Sequence, residues 1–240
     1  MKSKLSKFGL IGILLITVML IVGTTSLTWS RTREGAQREF EITKIFFEYN
    51  STANDLGVHV FVDGEDWTTL RIINPNRRPI FDAIGRGPYR LLGLTELSFE
   101  GAEPSLDEFP LEDLLALFPE GTYRLLGRTV DRDRIVGEAV LSHAIPAGPI
   151  VNADLNGNSL VISWEPVTTT PEGFPDRPIN IVAFQVIVET FQVTVPATTL
   201  SVTVSPEFVA SLPAGTHQFE VLAIDESGNQ TITEGTFVKP

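Results

Sequence analysis

Hydrophobic and polar positions alternate in short runs along most of this chain. "FEITKIFFEY" (40–49), "GVHVFVDG" (57–64), "WTTLRII" (67–73) and "TELSFE" (95–100) each read as a strand, because successive side chains on a strand point to opposite faces. Asp63-Gly64 closes the second run with a turn signal, and "NPNRRP" (74–79) is a loop. Short alternating runs separated by turn signals predict an all-β sandwich. One segment has a different period. In "SLDEFPLEDLLALFPEG", Leu111, Leu114, Leu115 and Phe118 fall at i, i+3, i+4 and i+7, which lines one face of a helix. Ser105 stands three residues before Glu108, a capping-box spacing, Pro110 suits a first turn, and Pro119 ends the run. The pattern predicts one short helix over 110–118, closing one end of a sandwich.

The first 30 residues follow another rule. Lys2, Lys4 and Lys7 precede an apolar run from Phe8 to Gly23, and no charge appears between Lys7 and Arg31. A basic start followed by an apolar stretch predicts export, with the lysines left in the cytoplasm. As a helix, residues 8–30 would reach about 35 Å, enough to cross a bilayer. Thr24-Thr25-Ser26 offers small residues for cleavage, so residues 1–30 read either as a signal peptide or as a retained N-terminal membrane anchor. Residues 31–39, "RTREGAQRE", lack periodicity and read as a polar tether.

Composition narrows the classes. There is no cysteine, which excludes disulfides and a lipoprotein anchor. The net charge is −12, and beyond Lys2, Lys4 and Lys7 there are 15 basic against 30 acidic residues. That balance argues against nucleic acid and against an anionic membrane surface as partners. Any membrane contact is expected through residues 8–30 alone. The basic residues of the first half are uneven: Arg71, Arg77, Arg78, Arg86 and Arg90 precede a stretch from 91 to 123 with no Lys or Arg. This predicts a basic and an acidic side, either docking a partner or pairing internally.

"SHAIPAGPIV" (142–151) carries two prolines and a glycine and marks a domain boundary, giving domains at 40–145 and 147–240. Four runs in the second domain agree in order and spacing. "SLVISWEPV" (159–167) holds Trp164 in an alternating strand, and "IVAFQVIVE" (181–189) holds Phe184. "LSVTVSPEFVASL" (200–212) and "HQFEVLAIDESGNQ" (217–230) follow. Together they resemble a fibronectin type III domain covering essentially all of 147–240. The resemblance implies Trp164 as core tryptophan of strand B, Phe184 in a tyrosine slot on strand C, and Phe219, Val221 and Ala223 pointing inward on strand F. His217 stands where the family keeps the aromatic of its tyrosine corner, a departure that puts the corner hydrogen bond in question. Asp225 to Asn229 become the F–G turn.

The first domain echoes this hairpin. "FPEGTYRLLGRTVD" (118–131) aligns with "LPAGTHQFEVLAID" (212–225) at a constant offset, with Tyr123 against His217, Leu125 against Phe219 and Asp131 against Asp225. The expectation is a related Ig-like sandwich over 40–145 with its own corner at Tyr123. The pairing of the two halves also resembles exported bacterial proteins with a C-terminal fibronectin-like module, a likeness that implies no chemistry.

Candidate chemistry is sparse. His59, His143 and His217 are the only histidines, none at ligand spacing with another, so no metal site is expected. His59 alternates with valines and reads as a strand-face residue. "DLNGN" opens like a calcium loop and reads better as a hairpin turn. Asp55, Asp63, Glu65 and Asp66 could meet at one sandwich end around a calcium ion, or stay solvated. His217, Asp225 and Ser227 invite a catalytic reading, but about eight residues of extended chain separate the first two by roughly 26 Å. No catalytic, cofactor or metal residue is therefore assigned and no cofactor is expected. The expected function is a non-catalytic exported protein that binds an unidentified protein partner, or serves adhesion or assembly, at the cell envelope. The rival is a carbohydrate-binding accessory module or an envelope enzyme. A sugar platform would have to come from Trp67, Tyr49 and Tyr89.

Overall fold

The structure is a computed structural model that describes residues 36–240, and the expected segment 1–30 lies outside the described residues. The chain from Gly35 to Pro240 is one compact unit. Its first half contains the strands β1 (Gln37–Glu39), β2 (Ile42–Asn50), β3 (Asp55–Ile73), β4 (Pro79–Ile84), β5 (Leu94–Glu100), β6 (Gly121–Thr129) and β7 (Arg134–Leu141). Two short helices, α1 (Pro88–Leu92) and α2 (Leu111–Leu117), interrupt them. The second half contains β8 (Val151–Asn156), β9 (Ser159–Trp164), β10 (Ile181–Val188), β11 (Phe191–Pro196) and β12 (Ser201–Val204). Helix α3 (Pro206–Ser211), β13 (Gly215–Asp225) and β14 (Gln230–Lys239) complete it.

The second half is a sandwich of three strands, β12-β9-β8, on four, β14-β13-β10-β11. This is an Ig-like strand arrangement. Its core is filled by Leu160, Ile162, Trp164, Phe184, Val186, Phe219, Val221 and Ala223. Trp164 is 5 % exposed and packs against Phe184 at 5.3 Å between ring centroids. The inward positions of β13 are the odd-numbered ones, as the alternation requires.

The first half is also two-layered, and one strand serves both layers. The start of β3 pairs with β2 and β5, while its end pairs with β4 and β6. Asp63-Gly64 is therefore no hairpin turn, and the two runs read as separate strands form one 19-residue strand. The chain bends near Asp66, whose φ is 35°, and a side chain on Gly64 would meet Phe40 at 2.8 Å. Such a bend lets a strand change sheets without a loop. The core around it holds Phe47, Leu56, Trp67, Leu70, Ile72, Tyr123 and Ile135, with Leu114 and Leu115 of α2.

Three further expectations change. The tether ends earlier than residue 39, because Gln37–Glu39 forms a parallel edge strand on β7. Ser105 does not cap α2: Pro110 holds the cap position with no side-chain bond, and the Ser105 hydroxyl accepts from the Asp107 N–H in a preceding turn. The wide-spaced proline simply starts the helix one turn later than the serine. Helices α1 and α3 and the strand β4 carry too few periodic residues to be read from the pattern.

The two sandwiches also share a sheet. β14 pairs in parallel with β2 over Gln230–Ile232 and Glu48–Asn50, so eleven strands form one hydrogen-bonded sheet.

Candidate functional site

The F–G turn sequence proves to be a joint. Residues 225–229 form a five-residue loop closed by the Asp225 N–H donating to the Asn229 carbonyl at 2.9 Å. Asp225 is buried, and its carboxylate accepts from the Asn180 N–H at 2.7 Å and the Ser227 N–H at 2.9 Å. Asn229 is fully buried against the first half. Its Oδ1 accepts from the Phe47 N–H at 2.8 Å, and its Nδ2 donates to the carbonyls of Ser142 at 2.8 Å and Ala144 at 3.0 Å. The Thr231 hydroxyl donates to the Pro146 carbonyl, and Ser51 donates both N–H and hydroxyl to the Ile232 carbonyl. Within the turn Glu226 is exposed, while Asp225 and Asn229 are buried. Asn229 leaves water because its amide satisfies backbone groups that the joint also removes from water.

His217 lies at the far end of β13 and does not meet Ser227. Its Nε2 lies 2.9 Å from the Pro213 carbonyl and its Nδ1 lies 3.0 Å from a Glu189 carboxylate oxygen. Tyr123 makes the matching bond, its hydroxyl donating to the Pro119 carbonyl at 3.1 Å. Both corners therefore close on a carbonyl four residues upstream. The Pro213 carbonyl, and then Glu189, raise the His217 pKa above its ordinary 6.5. Both ring nitrogens face acceptors, so only the doubly protonated ring satisfies both.

The setting of His59 was not anticipated. Across the shared sheet, β2, β3 and the chain after β5 bring Glu48, His59 and Glu103 together, with their ligating atoms within 4.8 Å of one another. His59 Nε2 is buried, has no hydrogen-bond partner, and lies 3.6 Å from Glu48, 3.8 Å from Glu100 and 4.0 Å from Glu103. Its ring stacks on Phe46 at 5.1 Å. Burial, then the neighbouring Glu100, Asp55 and Glu48, push the Glu103 carboxyl up to about 8. Burial raises Glu48 as well, and its carboxylate accepts from Gln230 of the second half. Water still reaches Glu103 and screens part of this. One imidazole nitrogen and two carboxylates could hold a divalent cation, and a proton on Glu103 discharges the same crowding. The alternation of β2 and β3 places Glu48 opposite Gly57 and beside His59, a cross-strand proximity that spacing along the chain does not reveal.

The other expected sites separate. Asp55 lies at one end of β3, while Glu65 and Asp66 lie past its bend, 3.5 Å and 3.6 Å from Arg38. The "DLNGN" run is the β8–β9 hairpin, turning at Gly157-Asn158 with φ 60° at Gly157. The twelfth residue from Asp154 is Glu165, beyond the far end of β9, so no calcium loop forms. His143 bonds the Phe118 carbonyl at 2.9 Å and packs on Phe47. Of the aromatics left for a sugar platform, Trp67 and Tyr49 are buried and Tyr89 alone is exposed.

No protein-family model and no curated protein matches the chain. Similar solved structures include the spore cortex lytic enzyme SleM of Clostridium perfringens, at 14% identity and TM-score 0.32, over 42% of this chain and 29% of that one. A bacterial ice-binding adhesin involved in host cell surface retention matches at 14% identity and TM-score 0.27, over 85% of this chain and 64% of that one. The 47-kilodalton lipoprotein of Treponema pallidum matches at 11% identity and TM-score 0.34, over 82% of this chain and 50% of that one. This chain thus spans less than two thirds of each. Scores and identities this low carry no inference about chemistry.

Proposed function

We propose that this chain is an exported, non-catalytic protein of the cell envelope that acts by protein–protein binding, in adhesion or assembly, with a fibronectin type III-like module as its second half. The observation that carries this reading is the joint. Asn229 and the β2–β14 pairing weld two sandwiches into one body. A cleft enzyme that closes on substrate needs a hinge of a few yielding residues. A welded pair instead holds its end loops at a fixed spacing, which suits a scaffold that displays binding loops. The three-on-four strand order, the buried Trp164 and the corner at His217 support the fibronectin-like reading. Export rests on the lysines and apolar run of residues 1–30.

A phosphatase fused after Pro240 tests the location. Activity in intact cells is expected. An inactive fusion in a stably expressed, folded protein overturns export. Crosslinking in intact cells then tests binding: a discrete adduct lost on mutating an end loop is expected, and its absence from every exposed loop overturns the binding role.

A further inference from the structure

The first half has two poles. β7 runs from Arg134 to Leu141, and eight residues of strand separate the poles by about 26 Å. The joint with the second half is at the Leu141 end, through Ser142 and Ala144. The described chain begins at the other end, where the Arg134 N–H donates to the Ala36 carbonyl at 3.0 Å and Gln37 pairs with Arg134. Residue 30, the end of the uncharged stretch, is seven residues from Gln37, at most about 25 Å of chain.

A groove at that same pole is basic, in a chain of net charge −12. Arg86, Arg90, Arg128 and Arg132 line one groove of about 550 Å³, together with Thr68, Ile84 and other neutral residues. No acid lines it, and among the described residues none of these four arginines lies within ion-pair distance of a carboxylate. Arg128 donates only to the Arg132 carbonyl, at 3.1 Å. The acids of this pole, Glu65, Asp66, Asp131 and Asp133, gather around Arg38 instead, at 3.1–4.0 Å. Beside the groove, α1, in the loop 85–93, has no buried residue. Tyr89, Leu91 and Leu92 are 59%, 76% and 77% exposed, and Ile84 is 59% exposed. Gly93, at φ 77°, lies so close to Asp66 that a Cβ would meet its backbone at 2.6 Å, which pins the base of the loop.

We propose that this pole docks on an anionic phospholipid surface, with Tyr89, Leu91 and Leu92 entering the headgroup layer and the four arginines taking lipid phosphates. The proposal rests on the export reading for the presence of a membrane beside residue 37. Three observations commit it to lipid. Unpaired arginines with no acid among them recognise phosphate oxygens. Exposed leucines with a tyrosine suit an interface that is apolar below and wet above. The uncharged stretch ends seven residues before Gln37, which pairs with Arg134 at this pole. The net negative charge of the whole chain predicts no such contact, and the contact becomes available because folding gathers four arginines into one groove that no acid lines. With this pole on the bilayer, the second half stands away from it.

The test uses the full chain reconstituted in vesicles. The chain has no cysteine, so a cysteine at Leu92 takes one environment-sensitive label, and a second variant with the cysteine at Gln192, on β11 of the second half, serves as control. In vesicles containing phosphatidylglycerol, the label at 92 is expected to shift to the blue and to lose quenching by an aqueous quencher. In pure phosphatidylcholine, in high salt, or with Arg86, Arg90, Arg128 and Arg132 changed to Gln, it is expected to stay exposed. The label at 192 is expected to stay exposed throughout. If the arginine variant fails to fold, Tyr89→Ser with Leu91→Ser must abolish the shift with the arginines intact. Equal exposure of residue 92 on both lipids overturns the proposal, as does equal burial of residue 192. A shift produced by soluble polyphosphate without anionic lipid also overturns it, assigning the groove to a soluble polyanion. An inactive phosphatase fusion with a positive vesicle result would reject export alone.

Discussion

The β6–β7 and β13–β14 hairpins are one device used twice. Each starts with a glycine at positive φ, Gly121 or Gly215, and each places a corner side chain two residues later. Each ends in a five-residue loop, with the first N–H donating to the fifth carbonyl and the fourth residue, Arg132 or Gly228, at positive φ. The loops make Thr129, rather than Asp131, the counterpart of Asp225. β13 is longer than β6 by two residues, and an even difference keeps every side chain on its own face. The outcomes diverge at the tips. The first loop is lined with Asp131, Arg132 and Asp133 and faces the pole where the chain begins. The second carries Asn229, whose short amide can both donate and accept, and it is buried in the other half. A shared backbone can thus be either a free end or a joint, with Asn229 and the β2–β14 pairing making the second one a joint.

The joint should break hardest. Asn229→Ala leaves the Phe47 N–H and the carbonyls of Ser142 and Ala144 without that partner, and is expected to cost about 2–4 kcal/mol in urea unfolding. Asp131→Ala on the equivalent loop, three-quarters exposed, is expected to stay within about 0.5 kcal/mol. Equal effects would mean that the second loop is no joint.

The corners should differ in pH dependence rather than in kind. Tyr123→Phe removes one buried hydrogen bond and is expected to cost about 1 kcal/mol at every pH from 5 to 8. His217 has a pKa raised in the folded state, so the stability it adds is present below its unfolded value of 6.5 and is lost as pH rises through the folded value. His217→Tyr keeps a corner hydroxyl that does not titrate in this range. The variant is expected to be folded and to lack that part of the decline above pH 6.5. A thermal-melt series identical to wild type would reject the corner role.

The smallest effect is at the acidic cluster. Glu103 holds its proton up to about 8 in the fold but loses it near 4.5 when unfolded. Its ionisation therefore penalises the fold progressively as pH rises from about 4.5 to 8. Glu103→Gln is expected to leave the unfolding free energy unchanged at pH 4.5 and to raise it at pH 8, by less than about 1 kcal/mol because the side chain is partly solvated. A loss of Tm at pH 8 would indicate that the ionised carboxylate is needed there.

Much of the architecture was legible along the chain because strand alternation is local. Trp164, Phe184, Phe219 and Val221 announce their burial through their immediate neighbours, and the glycine-led echo at Tyr123 and His217 announces a repeated corner. The long β3 was not legible, since a strand that changes layers keeps its alternation while a turn signal, Asp63-Gly64, sits inside it. The acidic cluster was not legible either. Glu48, His59 and Glu103 are each ordinary strand or loop positions, and only the pairing of β2 with β3 and the return of the chain after β5 bring them together.

By itself the sequence determined the all-β class, the inward faces of the strands and the total charge. These depend on residues a few positions apart or on sums over the chain. The tertiary structure alone decided which polar residues leave water and where charge collects. Asn229 reads as a turn residue until Phe47, Ser142 and Ala144 surround it. Four arginines between 86 and 132 form a groove only when β3, β4 and β6 lie side by side. Burial and electrostatic potential depend on distance through space, and a folded chain sets that distance independently of separation along the sequence.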